Sequence, residues 1–230
     1  MLIAILNQST LVSGEQALAM TRAVEDQVID HFAEEWERVA PVVAFYTDPA
    51  AVPAGAHGVA IVDTIADVPA GVLGFHSENP DGSQWGIVAA KPPLDAGAEV
   101  LTGDWSVSSI LSHEVLELAA DPSCTFWGGN GHREYALEIC DPVEAPTYEL
   151  DGVSVSNFTT PAWFDPQAPA ASKFDWLGLL HKPFSLLPGG YVIYASEGRQ
   201  HQQYGTEFPA WRRDMKGGQL ARTHRRSHQG

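Results

Sequence analysis

The sequence predicts an α+β fold: a mixed β-sheet, a long helix near the N-terminus and a second, strongly apolar helix near the middle of the chain. Three observations carry this. A short apolar run at the start is followed by helical periodicity and then by two β-rich runs. Two extended segments flank an Asn-Pro-Asp-Gly turn signal at 79–82. An apolar stretch from about residue 104 to 121 has the length and composition of a buried helix.

Taken in order, Leu2 to Leu6 reads as the first strand. Ser13-Gly14-Glu15-Gln16 is a helix start, and Leu18, Val24, Val28, Ile29, Phe32 and Trp36 follow at roughly helical spacing. Pro41 ends that helix. Val42 to Tyr46 and Gly58 to Val62 read as strands, which gives a β-α-β-β opening. Gly71 to His76 and Gln84 to Ala90 form the expected hairpin. After Lys91-Pro92-Pro93, Asp104 is the expected cap of a helix that runs to Asp121, with Pro122 beyond its end. Tyr135 to Asp141 and Tyr148 to Phe158 read as strands, the second broken at Asp151-Gly152. Residues 161–190 are rich in Pro, Trp and Phe and predict an irregular, aromatic-anchored wrap, and Tyr191 to Tyr194 is a late strand.

The 230 residues, 44% of them hydrophobic, suffice for one domain with a substantial core. The expected division is a single domain over 1–211 and a basic, apolar-poor, flexible tail over 212–230, with Arg212-Arg213 and Arg225-Arg226. Such a tail is either a solvated end or a dock for an acidic partner. The formal charge of −16 argues against nucleic acid or an anionic membrane as the main partner. No apolar run is long enough for a signal-peptide core or a membrane span, so a cytoplasmic location is expected. Cys124 and Cys140 make no disulfide framework, although a single bridge between them stays open.

The chemistry concentrates in His113-Glu114-Val115-Leu116-Glu117. Residues four apart share one helix face, so His113 and Glu117 can grip one metal ion while Glu114 sits beside it. Compared with the H-E-x-x-H zinc motif, Glu117 replaces the second histidine, a change that zinc chemistry permits because carboxylate oxygen is an accepted ligand. The competing reading takes the same residues as charges on an ordinary amphipathic helix. The apolar flanks Val107, Ile110, Leu111, Val115, Leu116, Leu118, Ala119 and Ala120 favour a buried site instead. Asp121 lies on nearly the same face but about 12 Å further along the axis, too far to share the ion. It reads as a supporting or helix-terminating residue.

The third metal ligand is expected from Glu138, Asp141 or Glu144, with Asp141 and Glu138 preferred. Strand alternation puts Glu138 and Cys140 on one face, opposite Tyr135, Leu137 and Ile139. Cys140 ranks low as a ligand, since a lone cysteine in an apolar segment is more often core. His76 has three readings: metal ligand, polariser of a substrate carbonyl, or loop cap. An oxyanion donor is sought among His76, His132, Tyr135 and Tyr148.

Ser112-His113-Glu114-Val115-Leu116-Glu117, then Ala120-Asp121-Pro122, Glu138 to Glu144 and Val155-Ser156-Asn157-Phe158, together resemble a group of phage and bacterial proteins described as zincin-like metallopeptidases. The resemblance covers about residues 70 to 165. It implies a zincin-like mixed sheet with a metal-binding active-site helix. It also implies a metal held by His113 and Glu117, Glu114 as general base, and importance for Asp121, Asp141 and Glu144. The leading expectation is therefore a zinc-dependent peptide hydrolase, acting on a peptide or protein substrate with narrow specificity. The alternatives are a non-hydrolytic Fe or Mn enzyme with the same His/carboxylate donors, and a phage-derived structural or interaction protein without catalysis.

Overall fold

A computed structural model of the chain describes residues 1–68, 72–79, 82–129 and 131–206. The expected basic tail over 212–230 lies outside them. The chain runs β1 (Leu2–Asn7), α1 (Gly14–Asp26), a π-helical segment (Gln27–Phe32), α2 (Ala33–Glu35), β2 (Val42–Tyr46), β3 (His57–Val62), β4 (Gly74–Glu78) and β5 (Gln84–Ala89). It continues through α3 (Lys91–Asp95), α4 (Val107–Ala120), β6 (Trp127–Gly129), β7 (Glu134–Ala136), β8 (Thr147–Leu150), β9 (Val153–Ser156), β10 (Tyr191–Ser196) and β11 (Arg199–Tyr204).

The principal sheet has the order β2-β1-β3-β5-β4. β1, β2, β3 and β5 are parallel neighbours, and β4 lies antiparallel to β5 at the edge. The fold is therefore α+β with a mixed sheet. Paired residues share a sheet face, so Ile5, Val59, Gly86 and His76 form one row across four strands. Beside it, Ile61, Val88 and Gly74 form another. These rows join residues of α1 and α4 in one buried apolar cluster, including Met20, Val24, Leu111, Val115 and Leu118. Burial of these side chains is the main stabilising term, about 1.5–3 kcal/mol for each large one. At the edge strand the row turns polar, and His76 is the side chain it supplies.

α1 begins as expected. Ser13 accepts from the Gln16 N–H, and Gln16 reaches back to the Ser13 N–H, closing a capping box. The helix then widens to π over Gln27–Phe32, keeping Gln27, Val28 and Phe32 buried while Ile29 is exposed. Leu18 is also on the outer side, so the apolar spacing read from sequence overstates the buried face by two positions.

Three expectations are corrected. Ser106, not Asp104, caps α4: Gly103 and Trp105 turn the chain through positive φ, so helical geometry starts only after them, and the Ser106 hydroxyl accepts from the Ser109 N–H. Asp104 instead accepts a hydrogen bond from the Thr147 hydroxyl at 2.8 Å. The strand expected over 135–141 ends at Ala136. Beyond it the backbone bonds are made elsewhere: Leu137 N–H to Phe126 O, Cys140 N–H to Glu117 Oε1, and Thr159 N–H to Ile139 O. Asp141-Pro142-Val143 then forms a 3-10 turn, so the expected alternation fails and Tyr135 through Val143 are all buried. Finally, the 148–158 segment is two strands. Asp151 and Gly152, both at positive φ, make the tight turn of the β8–β9 hairpin.

The wrap over 161–190 carries Trp163, Phe174 and Leu180 into a second apolar cluster with Tyr135, Val143 and Val192. β6 and β11, which extend the small sheet around β7 and β10, are additions that the sequence reading lacks. No helix among the described residues is long and apolar enough to cross a membrane. Both cysteines are free thiols.

Candidate metal centre

All fourteen residues of α4 are buried, including its polar ones, because the helix lies between the principal sheet and the β8–β9 hairpin. Its alignment is fixed from behind by hydrogen bonds next to the motif. Ser112 Oγ donates to Gln27 Oε1 at 2.6 Å and accepts from the Ser156 N–H at 2.9 Å. Gln27 Nε2 in turn donates to Ser156 O and to the Tyr148 hydroxyl. A buried amide and hydroxyl satisfied in this way restrain both the rotation and the height of α4. The sequence reading missed Gln27 and quoted Ser112 only as part of the motif, without this role; the signal at each was a polar type at a buried helical position.

On the site side, His113 Nε2 lies 3.1 Å from Glu117 Oε1 and 3.2 Å from Asp141 Oδ1. The ring nitrogen makes no aligned hydrogen bond to either oxygen. Helical spacing brings His113 and Glu117 together, and the 3-10 turn delivers Asp141. Cys140 sits in the same corner, its Sγ grouped within 4.8 Å of donor atoms from His113 and Glu117. Burial and the neighbouring Glu117 push the Cys140 thiol well above its ordinary pKa, so it stays protonated.

His76 arrives from β4. Its Nδ1 is 3.6 Å from Glu114 Oε2 and 3.8 Å from Glu117 Oε2, and its Nε2 is 3.8 Å from Glu138 Oε2. Among the described residues neither ring nitrogen has a hydrogen-bond partner, although the residue is only 5% exposed. The reading of His76 as a loop cap is thereby overturned. Glu114 can approach because Gly74 has no Cβ: one placed there would come within 2.8 Å of Glu114 Oε1 and 3.0 Å of Ile87 O. Cys124, at positive φ, brings its Sγ to 3.8 Å from His76 O. Gly74 was not singled out from sequence, and Cys124 only as a possible disulfide partner of Cys140.

Burial by itself would lower both imidazole pKa values. At His76, Cys124, Glu114 and Glu138 outweigh that effect, and at His113, Glu117, Asp141 and Glu114 do so. Both histidines are raised well above 6.5. The physical content is a concentrated negative field around two buried rings, which either protons or a divalent cation can neutralise.

The donor set fits a metal. Zinc–ligand bonds of about 2.0–2.2 Å set co-ligand atoms about 3.4 Å apart in a tetrahedral shell, close to the separations seen around both histidines. His113 Nε2 stands within 3.2 Å of one oxygen each of Glu117 and Asp141, and the donors that all lie within 4.8 Å of one another in this corner are His113, Glu117 and Cys140. Glu138 faces His76 rather than His113, and Asp121 belongs to the end of α4, where its carboxylate accepts from the Thr125 and Phe126 N–H groups. His132 is exposed. Tyr148 is committed to Gln27 and His31, and Tyr135 packs among Trp163, Phe184 and Tyr194.

Compared with protein-family models, curated proteins and solved structures, the chain matches none.

Proposed function

We propose that this protein is a zinc-dependent peptide hydrolase of zincin type, with His113, Glu117 and Asp141 as metal ligands and Glu114 as general base. The carrying observation is the His113 ring nitrogen, buried, without an aligned hydrogen bond, and flanked within 3.2 Å by carboxylate oxygens from α4 and from the 141–143 turn. A zinc ion held there supplies Lewis acidity, polarising a substrate carbonyl and lowering the pKa of a water.

The chain's own part is proton transfer and positioning. Glu114, adjacent to His113 on α4, takes the proton of the attacking water as the new C–O bond forms. It returns that proton to the amine nitrogen as the C–N bond breaks. Gly74 sets how closely Glu114 approaches β4. β4 lies at one edge of the sheet, and its residues Gly74, Phe75 and His76 are buried there. Depth of burial fits narrow-specificity processing better than general digestion.

Non-hydrolytic Fe or Mn chemistry is the second reading. It is favoured by the excess of hard oxygen donors: Glu114, Glu117, Glu138 and Asp141 stand against His76 and His113. Metal analysis of tag-free protein, with His113→Ala and Glu117→Ala beside it, separates these outcomes. Zinc lost in both variants, together with cleavage in a peptide-library screen, is the expected result. Native iron or manganese without peptide cleavage moves the assignment to the second reading, and no bound metal after zinc addition overturns both.

A further inference from the structure

We propose that the centre holds two divalent cations, with Glu117 as a shared bridging carboxylate and His76, through Nδ1, as the imidazole ligand of the second ion. This rests on the metal reading of the His113 site and extends it to residues which that reading leaves unused.

Glu117 presents one oxygen to each histidine: Oε1 to His113 Nε2 at 3.1 Å and Oε2 to His76 Nδ1 at 3.8 Å. A carboxylate so placed between two nitrogen donors has the arrangement of a bridging ligand. The second group of donors consists of His76, Glu114 and Glu117, whose ligand atoms all lie within 4.8 Å of one another.

The His76 distances to Glu114 and Glu117, 3.6 and 3.8 Å, are too long for hydrogen bonds and suit co-ligands of one ion. Glu138 Oε2 stands 3.8 Å from Nε2, the other ring nitrogen, and adds negative charge there without a hydrogen bond.

The independent pointer to a ligand is His76 itself, 95% buried with neither ring nitrogen hydrogen-bonded. Leaving such a polar group unsatisfied destabilises the fold, a cost that a bound cation removes. Around the two imidazoles stand four carboxylates, Glu114, Glu117, Glu138 and Asp141, whose charge balances two divalent ions better than one.

The test is stoichiometry on the full chain, by calorimetric titration with zinc and by mass-spectrometric metal counting after desalting. The wild type is expected to bind two equivalents. His76→Ala should lose one and keep the other, and Glu117→Gln should weaken both. Circular dichroism checks that each variant is folded. A wild-type measurement stands independently of the variants: titration with Mn(II) followed by electron paramagnetic resonance. The isolated-ion signal should fall as the second equivalent enters and the two spins couple. One equivalent in the wild type, or a signal that grows to one equivalent and then shows only free Mn(II), overturns the second site while leaving the His113 site standing. No binding at all overturns both. Two coupled ions in a protein that cleaves no peptide support the dinuclear centre and overturn the hydrolase assignment alone.

Discussion

His113 Nε2 and Asp141 Oδ1 lie 3.2 Å apart, one on a helix and the other on a 3-10 turn well downstream. Because the two elements are joined only through tertiary packing, the contact tests whether the centre is a true ligand set. Asp141→Asn keeps the shape and removes the charge. It is expected to weaken zinc binding by about 100-fold or more, beyond the effect typical of outer supporting groups. Competition titration against a chelating dye measures this. Unchanged affinity would remove Asp141 from the ligand set.

Glu114→Gln separates binding from proton transfer. The amide can still occupy the space but cannot accept a proton, so the expected loss of turnover is about 10²–10⁴-fold with the His113-site ion retained. Parallel metal counts and peptide-cleavage rates check this. Full activity in the metal-loaded variant would exclude Glu114 as the base.

Gly74→Ala should act through Glu114 rather than through the backbone conformation. The added Cβ would meet Glu114 Oε1 at 2.8 Å and Ile87 O at 3.0 Å, so the carboxylate must move away from β4. Cleavage is expected to fall by at least about 10-fold, the order that a small misplacement of a reacting group produces. The thermal midpoint should move much less than in a core truncation. A large midpoint shift with normal specific activity would point to packing alone.

Ser112→Ala tests the support behind the motif. It strips the Ser156 N–H and Gln27 Oε1 of their shared buried partner. Such a loss is expected to cost about 1–3 kcal/mol in chemical denaturation. A change within error would mean that water or a rearranged Gln27 takes over.

Asp63 gives a pH signature remote from the centre. Its carboxylate accepts from the Ser9 and Thr10 hydroxyls and the Thr10 N–H, which depress its pKa from 3.8 to about 2. A depressed folded-state pKa means that the contribution is complete above about pH 4 and is lost as pH falls towards 2. Asp63→Asn should therefore be less stable than wild type at pH 5 to 7, with the gap closing near pH 2. Denaturation midpoints across that range measure it, and a gap independent of pH would contradict the assignment.

Much was legible in the sequence, for local physical reasons. The capping box at Ser13, the apolar strand runs, the hairpin around 79–82 and the i, i+4 pairing of His113 with Glu117 all arise from residues within a few positions of one another. The structure also brings Asp141, preferred from sequence as a third ligand, to 3.2 Å from His113. Where the reading failed, a competing tertiary bond was the cause: Glu117 drawing the Cys140 N–H, and Thr159 the Ile139 carbonyl, out of any strand ladder. Sequence alone thus determined the α+β class, the motif helix and the polar side chains that it carries. Only the tertiary structure decided that edge strand β4 turns His76 inward, that Gly74 admits Glu114 and that Glu117 stands between two histidines. Those relations depend on strand register and on the seating of α4 against the sheet, which are set by packing between distant segments and leave no trace in local spacing.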